Sequence, residues 1–347
     1  MPRKFCQSLL KSTRATNPST AADKTLNYME EMMNKLSRRI AAIFLIIATL
    51  IMAAGCAQTG DEGAKKPSAE STKSSAYPLE ITDSQGRTVV IEKKPERVVS
   101  IAPGITESIF AIGMGEVLVG RTDYCTYPKE TDGIESIGGM QDPNIEKIVE
   151  LDPDIVIASA HFKEETLEKL EELGLNVVVL YGEESFEGVY DVIGKLGSIL
   201  DANTKAKELT EDMKSRVAAV EKKVSGLDKP SVYYVIGFGE YGDFTAGSDT
   251  FISRMLEMAG GTNAASDVKG WKYSLERLVE NDPDILICSS EYSPAEQVAA
   301  ANGYKELSAV KNGSIFTIET DTVEIQGPRQ VEGLEELARI IHPEAFK

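Results

Sequence analysis

Short apolar runs alternate with segments of helical periodicity along most of the chain. Two runs, at 79–82 and 87–91, flank the turn-forming sequence DSQG, which predicts a β-hairpin. An apolar run at 97–101 is followed by a helical pattern at 106–112. The same order returns as a strand at 155–158, a helix at 164–172 and a strand at 176–180. Strands that alternate with helices predict an α/β fold with parallel sheets covered by helices.

One string of the sequence occurs twice. Residues 144–157 read NIEKIVELDPDIVI and residues 274–287 read SLERLVENDPDILI, at a constant offset of 130, with eight of the fourteen positions identical. Each copy has the pattern of a helix, an Asp-Pro-Asp turn and a strand. The match favours two lobes of one architecture. Two convergent helix–strand corners are the alternative, since Asp-Pro is common in turns.

A long helix is predicted between the two copies. Its apolar positions recur at helical spacing: Leu209, Met213, Val217, Val220 and Val224. A run of about 23 residues from Asn203 would extend roughly 35 Å and act as a strut that limits hinge motion. We therefore expect an N-terminal lobe at 77–200, a connecting helix at 201–226 and a C-terminal lobe at 227–347.

The amino-terminal 55 residues have the composition of an extension followed by an export signal. Three basic residues between 35 and 39 precede an uncharged run at 40–55, which is short for a membrane-spanning helix and ends at Cys56. The ending Ala-Ala-Gly-Cys resembles a bacterial or archaeal lipobox, in which the cysteine is acylated. Residues 56–76 then form the acylated cysteine and a flexible tether. This predicts an extracytoplasmic protein held at the cell membrane by lipid, with an uncleaved signal anchor as the alternative.

The charge of the chain excludes one class of partner. The sequence has 37 Lys and Arg against 55 Asp and Glu, a net charge of −18, which becomes −23 without residues 1–55. A nucleic-acid phosphate backbone requires a basic face, so we expect no nucleic-acid partner. Two histidines and four cysteines are too few for a zinc module or a cage for a bare transition-metal ion. Cys125 and Cys288 lie 163 positions apart, one in each predicted half, and are therefore expected to be free thiols rather than a disulfide.

Aromatic residues concentrate in loops that are expected to face a cleft between the lobes. In open α/β sheets, ligands bind beyond the carboxyl ends of the strands. The loops predicted there carry Tyr124, Tyr127, Phe162, Phe238, Tyr241, Phe244, Trp271, Tyr273 and Tyr292, although aromatics make up only 7% of the chain. As a set they predict a cavity for a large, partly apolar, planar or chelated ligand. For each residue alone, loop packing is the alternative.

The sequence carries no motif that favours catalysis. His161 stands alone in a loop, and no nucleophile elbow, Walker loop or zinc-protease helix is present in the sequence. We therefore expect a binding protein without a cofactor of its own, rather than an enzyme.

Several ordered motifs together resemble one protein family. After the lipobox come PERVVS at 95–100, ITE at 105–107, the repeated Asp-Pro-Asp strings, FTAG at 244–247, MAGGTN at 258–263 and IHPEAF at 341–346. Residues 77–347 thereby resemble the substrate-binding lipoproteins of ABC importers for iron-siderophores, haem and vitamin B12. The resemblance implies two Rossmann-like lobes with a ligand cleft between them, joined by a long rigid helix. It also implies a membrane permease and its ATPase as partners, and we expect the protein to be a monomer.

The resemblance gives the repeated glutamates a role. In the family, one glutamate at the start of this helix in each lobe docks onto arginines of the permease, and Glu146 and Glu276 match those positions. The alternative is local: a first-turn glutamate after Asn144 or Ser274 as N-cap stabilises a helix by about 0.3–1 kcal/mol.

The resemblance leaves the ligand open between a corrinoid and an iron chelate. Tyr124, Phe238 and Trp271 fall where vitamin B12-binding members place aromatics, whereas Met140 falls where they carry another aromatic. Arg329 is expected near the cleft, where it could pair an anionic siderophore or a haem propionate, with a surface role as the alternative. We expect an iron(III)-siderophore first, and a corrinoid or haem as alternatives. A surface enzyme or a sensory lipoprotein on the same fold is the more distant alternative.

Overall fold

In the computed structural model, which describes residues 76–239 and 242–347, helices alternate with strands as the sequence predicts. The strands are β1 Leu79–Thr82, β2 Thr88–Ile91, β3 Val98–Ser100, β4 Leu118–Arg121, β5 Glu135–Ser136, β6 Ile155–Ala158, β7 Val177–Val179, β8 Ser231–Val235, β9 Asp243–Phe244, β10 Thr262–Asn263, β11 Lys272–Tyr273, β12 Ile285–Ser289 and β13 Ile315–Ile318. The helices are α1 Pro103–Ala111, α2 Ile145–Glu150, α3 Glu164–Glu172, α4 Phe186–Ile199, α5 Asn203–Val224, α6 Phe251–Met258, α7 Leu275–Asn281, α8 Ala295–Ala300, α9 Ser308–Lys311, α10 Thr320–Glu324 and α11 Gln330–Ile341. Short 3-10 turns lie at Gly115–Val117, Lys129–Gly133, Tyr304–Glu306 and Pro343–Phe346.

Two parallel sheets organise the described chain. The first has the strand order β5-β4-β3-β6-β7, and the second has the order β10-β8-β12-β13. Their central strands β6 and β12 are buried at every position, as expected for strands covered by helices on both faces. The predicted α/β fold with parallel sheets is confirmed.

The repeated string forms the same helix, turn and strand in both halves. In α2, the Asn144 side chain accepts a hydrogen bond from the third helical N–H, and Ser274 does the same for α7. Each helix is followed by an aspartate in the left-handed region, Asp152 at φ 44° and Asp282 at φ 39°. Aspartate tolerates this conformation better than most residues.

The second aspartate of each Asp-Pro-Asp turn explains why the motif recurs. The Asp154 carboxylate accepts from the backbone N–H groups of Glu96 and Arg97 at 2.9 and 3.0 Å, just before β3. The Asp284 carboxylate accepts from the N–H of Ser231 at 2.8 Å, at the start of β8. In each half the aspartate thus ties the repeated turn to the neighbouring central strand.

Helix α5 lies where the connecting helix is predicted. It spans 22 residues, roughly 33 Å, between the two sheets in sequence. It packs against α4 on one side and α11 on the other. Its buried residues are spaced four and three apart: Ala206, Thr210, Met213, Val217, Val220 and Val224. One hydrophobic cluster includes all of these side chains except Thr210, together with residues of both sheets, so the core is continuous from one half to the other.

The structure bears in different ways on the predicted domain boundaries, the N-terminal segment and the two cysteines. The described residues belong to one compact unit, and the boundaries at 200, 226 and 227 remain predictions. Cys56, the signal and most of the tether lie outside the described residues, as does Tyr241. Within the described residues, no helix combines the length and apolarity needed to cross a membrane. Cys125 and Cys288 are free, buried thiols, as predicted.

Candidate ligand-binding site

A cavity of about 550 Å³ lies between the two halves of the described chain. Its first wall follows the carboxyl ends of β3, β6 and β7, as expected for an open parallel sheet. Its second wall comes from the start of α6, the loop at Trp271, helix α10 and the start of α11. The lining residues of the first wall are Ile101, Ala102, Pro103, Gly104, Ile105, Ser108, Met140, Ser159, Ala160, His161, Phe162, Leu180, Tyr181, Gly182, Glu184, Val189 and Val192. Those of the second wall are Phe251, Ile252, Trp271, Val323, Glu324, Ile325, Gln326 and Gln330.

The chemistry of the lining is mostly apolar. Aliphatic and aromatic side chains from both walls surround the space, and its volume is within the range that holds a small organic ligand. Trp271 is half exposed and is the only tryptophan of the sequence. Such a cavity suits a large ligand with flat, apolar surfaces and few polar anchors.

Two glutamates bring negative charge to the cavity. The Glu324 carboxylate accepts a hydrogen bond from the Tyr234 hydroxyl at 3.1 Å, and burial raises the pKa of Glu324 in spite of this bond. The Glu184 carboxylate accepts from the backbone N–H of Phe251 at 3.2 Å, across the two halves. Among the described residues, no group of three or more acidic, His or Cys side chains is arranged to hold a metal ion.

The halves are joined at one edge of the cavity by Arg329 and Glu107. The guanidinium donates to both carboxylate oxygens, at 2.9 and 2.6 Å, and its Nη2 lies 3.4 Å from Asp321. The Tyr127 ring covers the guanidinium at 4.2 Å. Burial raises the pKa of Glu107 and outweighs the opposing effect of Arg329. Arg329 was expected near the cleft, where it could pair an anionic ligand; in the structure it forms an ion pair within the protein.

Near this ion pair, the backbone at Gly104 approaches the backbone at Gln326 closely. A Cβ on Gly104 would lie 2.1 Å from the Gln326 carbonyl oxygen. Only glycine allows α1 of the first half to contact the loop after α10 at this distance. The rings of Phe186 and Phe251 also meet across the two halves, edge to face at 5.1 Å.

Three of the predicted ligand-binding residues line the cavity, and the others that the structure describes do not. Met140, Phe162 and Trp271 are lining residues. Tyr124 and Tyr127 are about half exposed and lie outside the lining, Tyr127 against Arg329. Tyr292 is also exposed and outside it.

Two further predicted residues belong to the packing of the second half. Tyr273 is buried: its ring lies 5.6 Å from Tyr233, and its hydroxyl accepts from Asn281 at 2.7 Å. The ring of Phe238 packs edge to face on Tyr304 at 5.9 Å. In this structure Tyr273 and Phe238 therefore pack within the second half and are not among the residues that line the cavity.

Part of the lining lies outside the residues predicted from the sequence. Leu180, Tyr181 and Gly182 directly follow β7 and could have been found by applying the strand-end rule to that strand. Phe251 and Ile252 open α6, and Val323 to Ile325 end α10. No local pattern indicates those five, because the fold alone brings these helix ends to the cavity.

The two predicted docking glutamates occupy equivalent places. Glu146 and Glu276 are exposed in the first turns of α2 and α7. A hydrogen bond from the Ser274 hydroxyl, 2.6 Å long, lowers the pKa of the Glu276 carboxyl. One turn later, each helix exposes a valine, Val149 at 43% and Val279 at 41%. The repeat therefore places an acidic and an apolar side chain at matching sites on both halves.

The neighbouring basic residues do not cancel these acidic groups. The Lys147 ammonium pairs with Glu135 at 2.5 Å, and Arg277 pairs with Asp267. Each basic side chain is thus directed back to an acid of its own half.

Comparisons with known proteins identify the family. The sequence pattern of the periplasmic binding protein family matches residues 98–322. The chain is 32% identical over 319 residues to the ABC transporter substrate-binding lipoprotein YvrC of Bacillus subtilis, covering 90% of this chain and all of that one. It is 28% identical over 314 residues to a cobalamin-binding protein of Halobacterium salinarum, covering 85% and 84%.

A solved structure agrees with this result. The periplasmic haem-binding protein RhuT of Roseiflexus sp. RS-1, in apo form, superposes with a TM-score of 0.67 at 26% identity, covering 72% of this chain and 99% of that one. Two parallel sheets with a cavity between them, the family match and this superposition agree. The chain belongs to the periplasmic binding protein family.

Proposed function

We propose that this protein is the substrate-binding component of an ABC importer, which captures a metal chelate and delivers it to a membrane permease and its ATPase. The observation that carries the proposal is the cavity of about 550 Å³, lined from both halves of a chain with a continuous core. The name of the Bacillus subtilis relative supports the importer role.

A corrinoid is the first candidate for the cargo. The Halobacterium salinarum relative is named for cobalamin, and Phe162 and Trp271 offer apolar surfaces to a flat macrocycle. An iron(III)-siderophore, placed first on the sequence alone, is the second candidate. Haem is the third, supported by the structural relative.

Retention of coloured chelates tests the cargo directly. The protein is incubated separately with cyanocobalamin, ferrioxamine B and haemin, passed through gel filtration, and its absorbance spectrum recorded. We expect cyanocobalamin to elute with the protein and to be recovered chemically unchanged. Retention of ferrioxamine B alone would restore the siderophore to first place, and conversion of a bound chelate would indicate an enzyme. Failure of every chelate to bind would count against the whole proposal.

Docking to the permease is proposed to involve Glu146 and Glu276. Exposed charges at equivalent places on two halves would set the association rate and the register of a complex, and the adjacent Val149 and Val279 would add apolar contact. Basic groups on the permease are the complementary chemistry.

The docking proposal predicts loss of uptake without loss of binding. In cells that lack their own copy of the gene, the double variant Glu146→Ala, Glu276→Ala should bind cargo normally and fail to support its uptake. The matched control is Glu164→Ala with Glu296→Ala, which removes exposed first-turn acids from α3 and α8. Normal uptake by the Glu146 and Glu276 variant would refute docking at these positions.

We also propose that Cys56 carries the lipid anchor and that the protein is extracytoplasmic. Cys56→Ala should release the protein from washed membranes into the soluble fraction. Equal membrane retention of Cys56→Ala and wild type would argue against lipidation.

A further inference from the structure

We propose that the cavity selects its cargo by charge, accepting neutral or cationic chelates and excluding anionic ones, and that Glu107 sets this selectivity by neutralising Arg329. The inference rests on the proposed function, because it specifies which chelates the importer component captures.

The charged side chains that line the cavity are acidic. Among the described residues that line the cavity, Glu184 and Glu324 are acidic, and none is a lysine or arginine. His161 is the one histidine among these lining residues. A carboxylate that enters this space loses its hydration and meets no opposite charge.

Arg329 is the arginine closest in sequence to the lining residues Gln326 and Gln330, so it is the cation to which an anionic cargo would first be expected to bind. Its Nε and Nη2 atoms are both engaged by Glu107 in a bidentate pair, and Tyr127 covers one face of the group. Its side chain is 12% exposed and that of Glu107 is 3% exposed. The cation is therefore already neutralised inside the protein, and a cargo carboxylate would have to displace Glu107 to reach it.

This arrangement separates the candidate cargoes. Cyanocobalamin is neutral and ferrioxamine B is cationic, so neither needs a cation from the protein. Haemin carries two propionates, and ferric enterobactin is anionic. The cavity thus favours the first two chelates, although a haem-binding protein is among the structural relatives.

The wild-type protein tests the selectivity without any substitution. Quenching of the single tryptophan, Trp271, by each of the four chelates is titrated at pH 8 and low ionic strength. We expect dissociation constants for cyanocobalamin or ferrioxamine B to be at least about tenfold lower than for haemin and ferric enterobactin. An anionic chelate that binds as tightly as the best neutral or cationic one would overturn the inference. If no chelate binds, the proposed function itself fails.

The role of Glu107 is tested by measuring how its substitution changes the ratio of the dissociation constants for haemin and cyanocobalamin. Glu107→Gln should lower the dissociation constant for haemin relative to that for cyanocobalamin by about tenfold, since Arg329 becomes available. Adding Arg329→Gln to this variant should return the ratio to its wild-type value. The matched control is Glu335→Gln, which removes another bidentate partner, that of Arg216, outside the cavity lining. A folded Glu107→Gln protein with the wild-type ratio would exclude Glu107 as the determinant.

A second variant covers the case in which Glu107→Gln does not fold. Gln326→Lys introduces a cation at a lining position without touching the buried pair. It should improve haemin binding relative to cyanocobalamin, with circular dichroism confirming the fold. An unchanged ratio would show that charge in the cavity does not govern selection.

Discussion

At the scale of single residues, Asp83 shows how one buried carboxylate attaches the hairpin to the first sheet. It accepts backbone N–H bonds from Gln85 and Arg87, at 3.0 and 2.9 Å, and pairs with the Arg87 guanidinium. It also accepts from the N–H of Val179 at 3.3 Å, at the end of β7. Burial by itself would raise the pKa of Asp83, but these hydrogen bonds outweigh it and hold the pKa below the usual value.

The lowered pKa predicts a specific pH dependence of stability. Because the unfolded chain binds the proton more tightly, the contribution of Asp83 is complete above about pH 4 and is lost as the pH falls through the folded value. Asp83→Asn should reduce the free energy of unfolding by about 2 kcal/mol at pH 7. The deficit should shrink progressively below pH 4, as measured by urea denaturation.

The control for Asp83 is a carboxylate of the same type in an exposed pair. Asp191→Asn removes an i,i+4 partner of Lys195, and its side chain is 57% exposed. It should change stability by less than about 0.5 kcal/mol at any pH. A deficit in Asp83→Asn that stays constant down to pH 2 would contradict the assigned ionisation.

At the scale of elements, the hairpin, the strut and the repeated turn were predictable, and much of the cavity was not. Local signals identified the first three: alternation around DSQG, spacings of three and four in α5, and an identical string for Asp154 and Asp284. The cavity depends on which helix ends meet in space. Phe251 lines it and Tyr273 does not, because tertiary packing, not loop position, orients each ring.

The strut makes a prediction about cooperativity. Met213 is 1% exposed and lies in the hydrophobic cluster that reaches both sheets. Met213→Ala should reduce the free energy of unfolding by about 3 kcal/mol, because it leaves a cavity in that shared core. Both halves should still unfold together, so circular dichroism and Trp271 fluorescence should give one coincident urea transition.

A substitution that keeps the side-chain volume distinguishes loss of packing from the mere replacement of Met213. Met213→Leu nearly preserves volume and should cost less than about 1.5 kcal/mol. Two separate transitions, with only one shifted by Met213→Ala, would show that the strut does not couple the halves.

At the scale of the whole molecule, two sets of contacts hold the halves together. Arg329 and Glu107 form an ion pair between them, with Gly104 in close backbone contact. Glu184 and Phe186 contact Phe251. Hinge closure around a ligand requires a few residues that absorb large backbone changes. Here, by contrast, a 22-residue helix and a continuous core lie between the sheets.

These restraints predict that cargo binding leaves the overall dimensions of the protein nearly unchanged. Small-angle X-ray scattering with and without saturating cyanocobalamin should give the same radius of gyration within measurement error, and the scattering calculated from the structure should match both curves. Binding would then involve side chains around the cavity, such as Trp271, more than movement of the halves. A clear contraction on binding would mean that the Arg329–Glu107 and Glu184–Phe251 contacts open in the free protein. In that case the permease would distinguish loaded from empty protein by its shape. Without contraction, the proposed docking residues Glu146 and Glu276 keep one spacing in both states, and recognition of the loaded form has to come from the cargo or from the rim of the cavity.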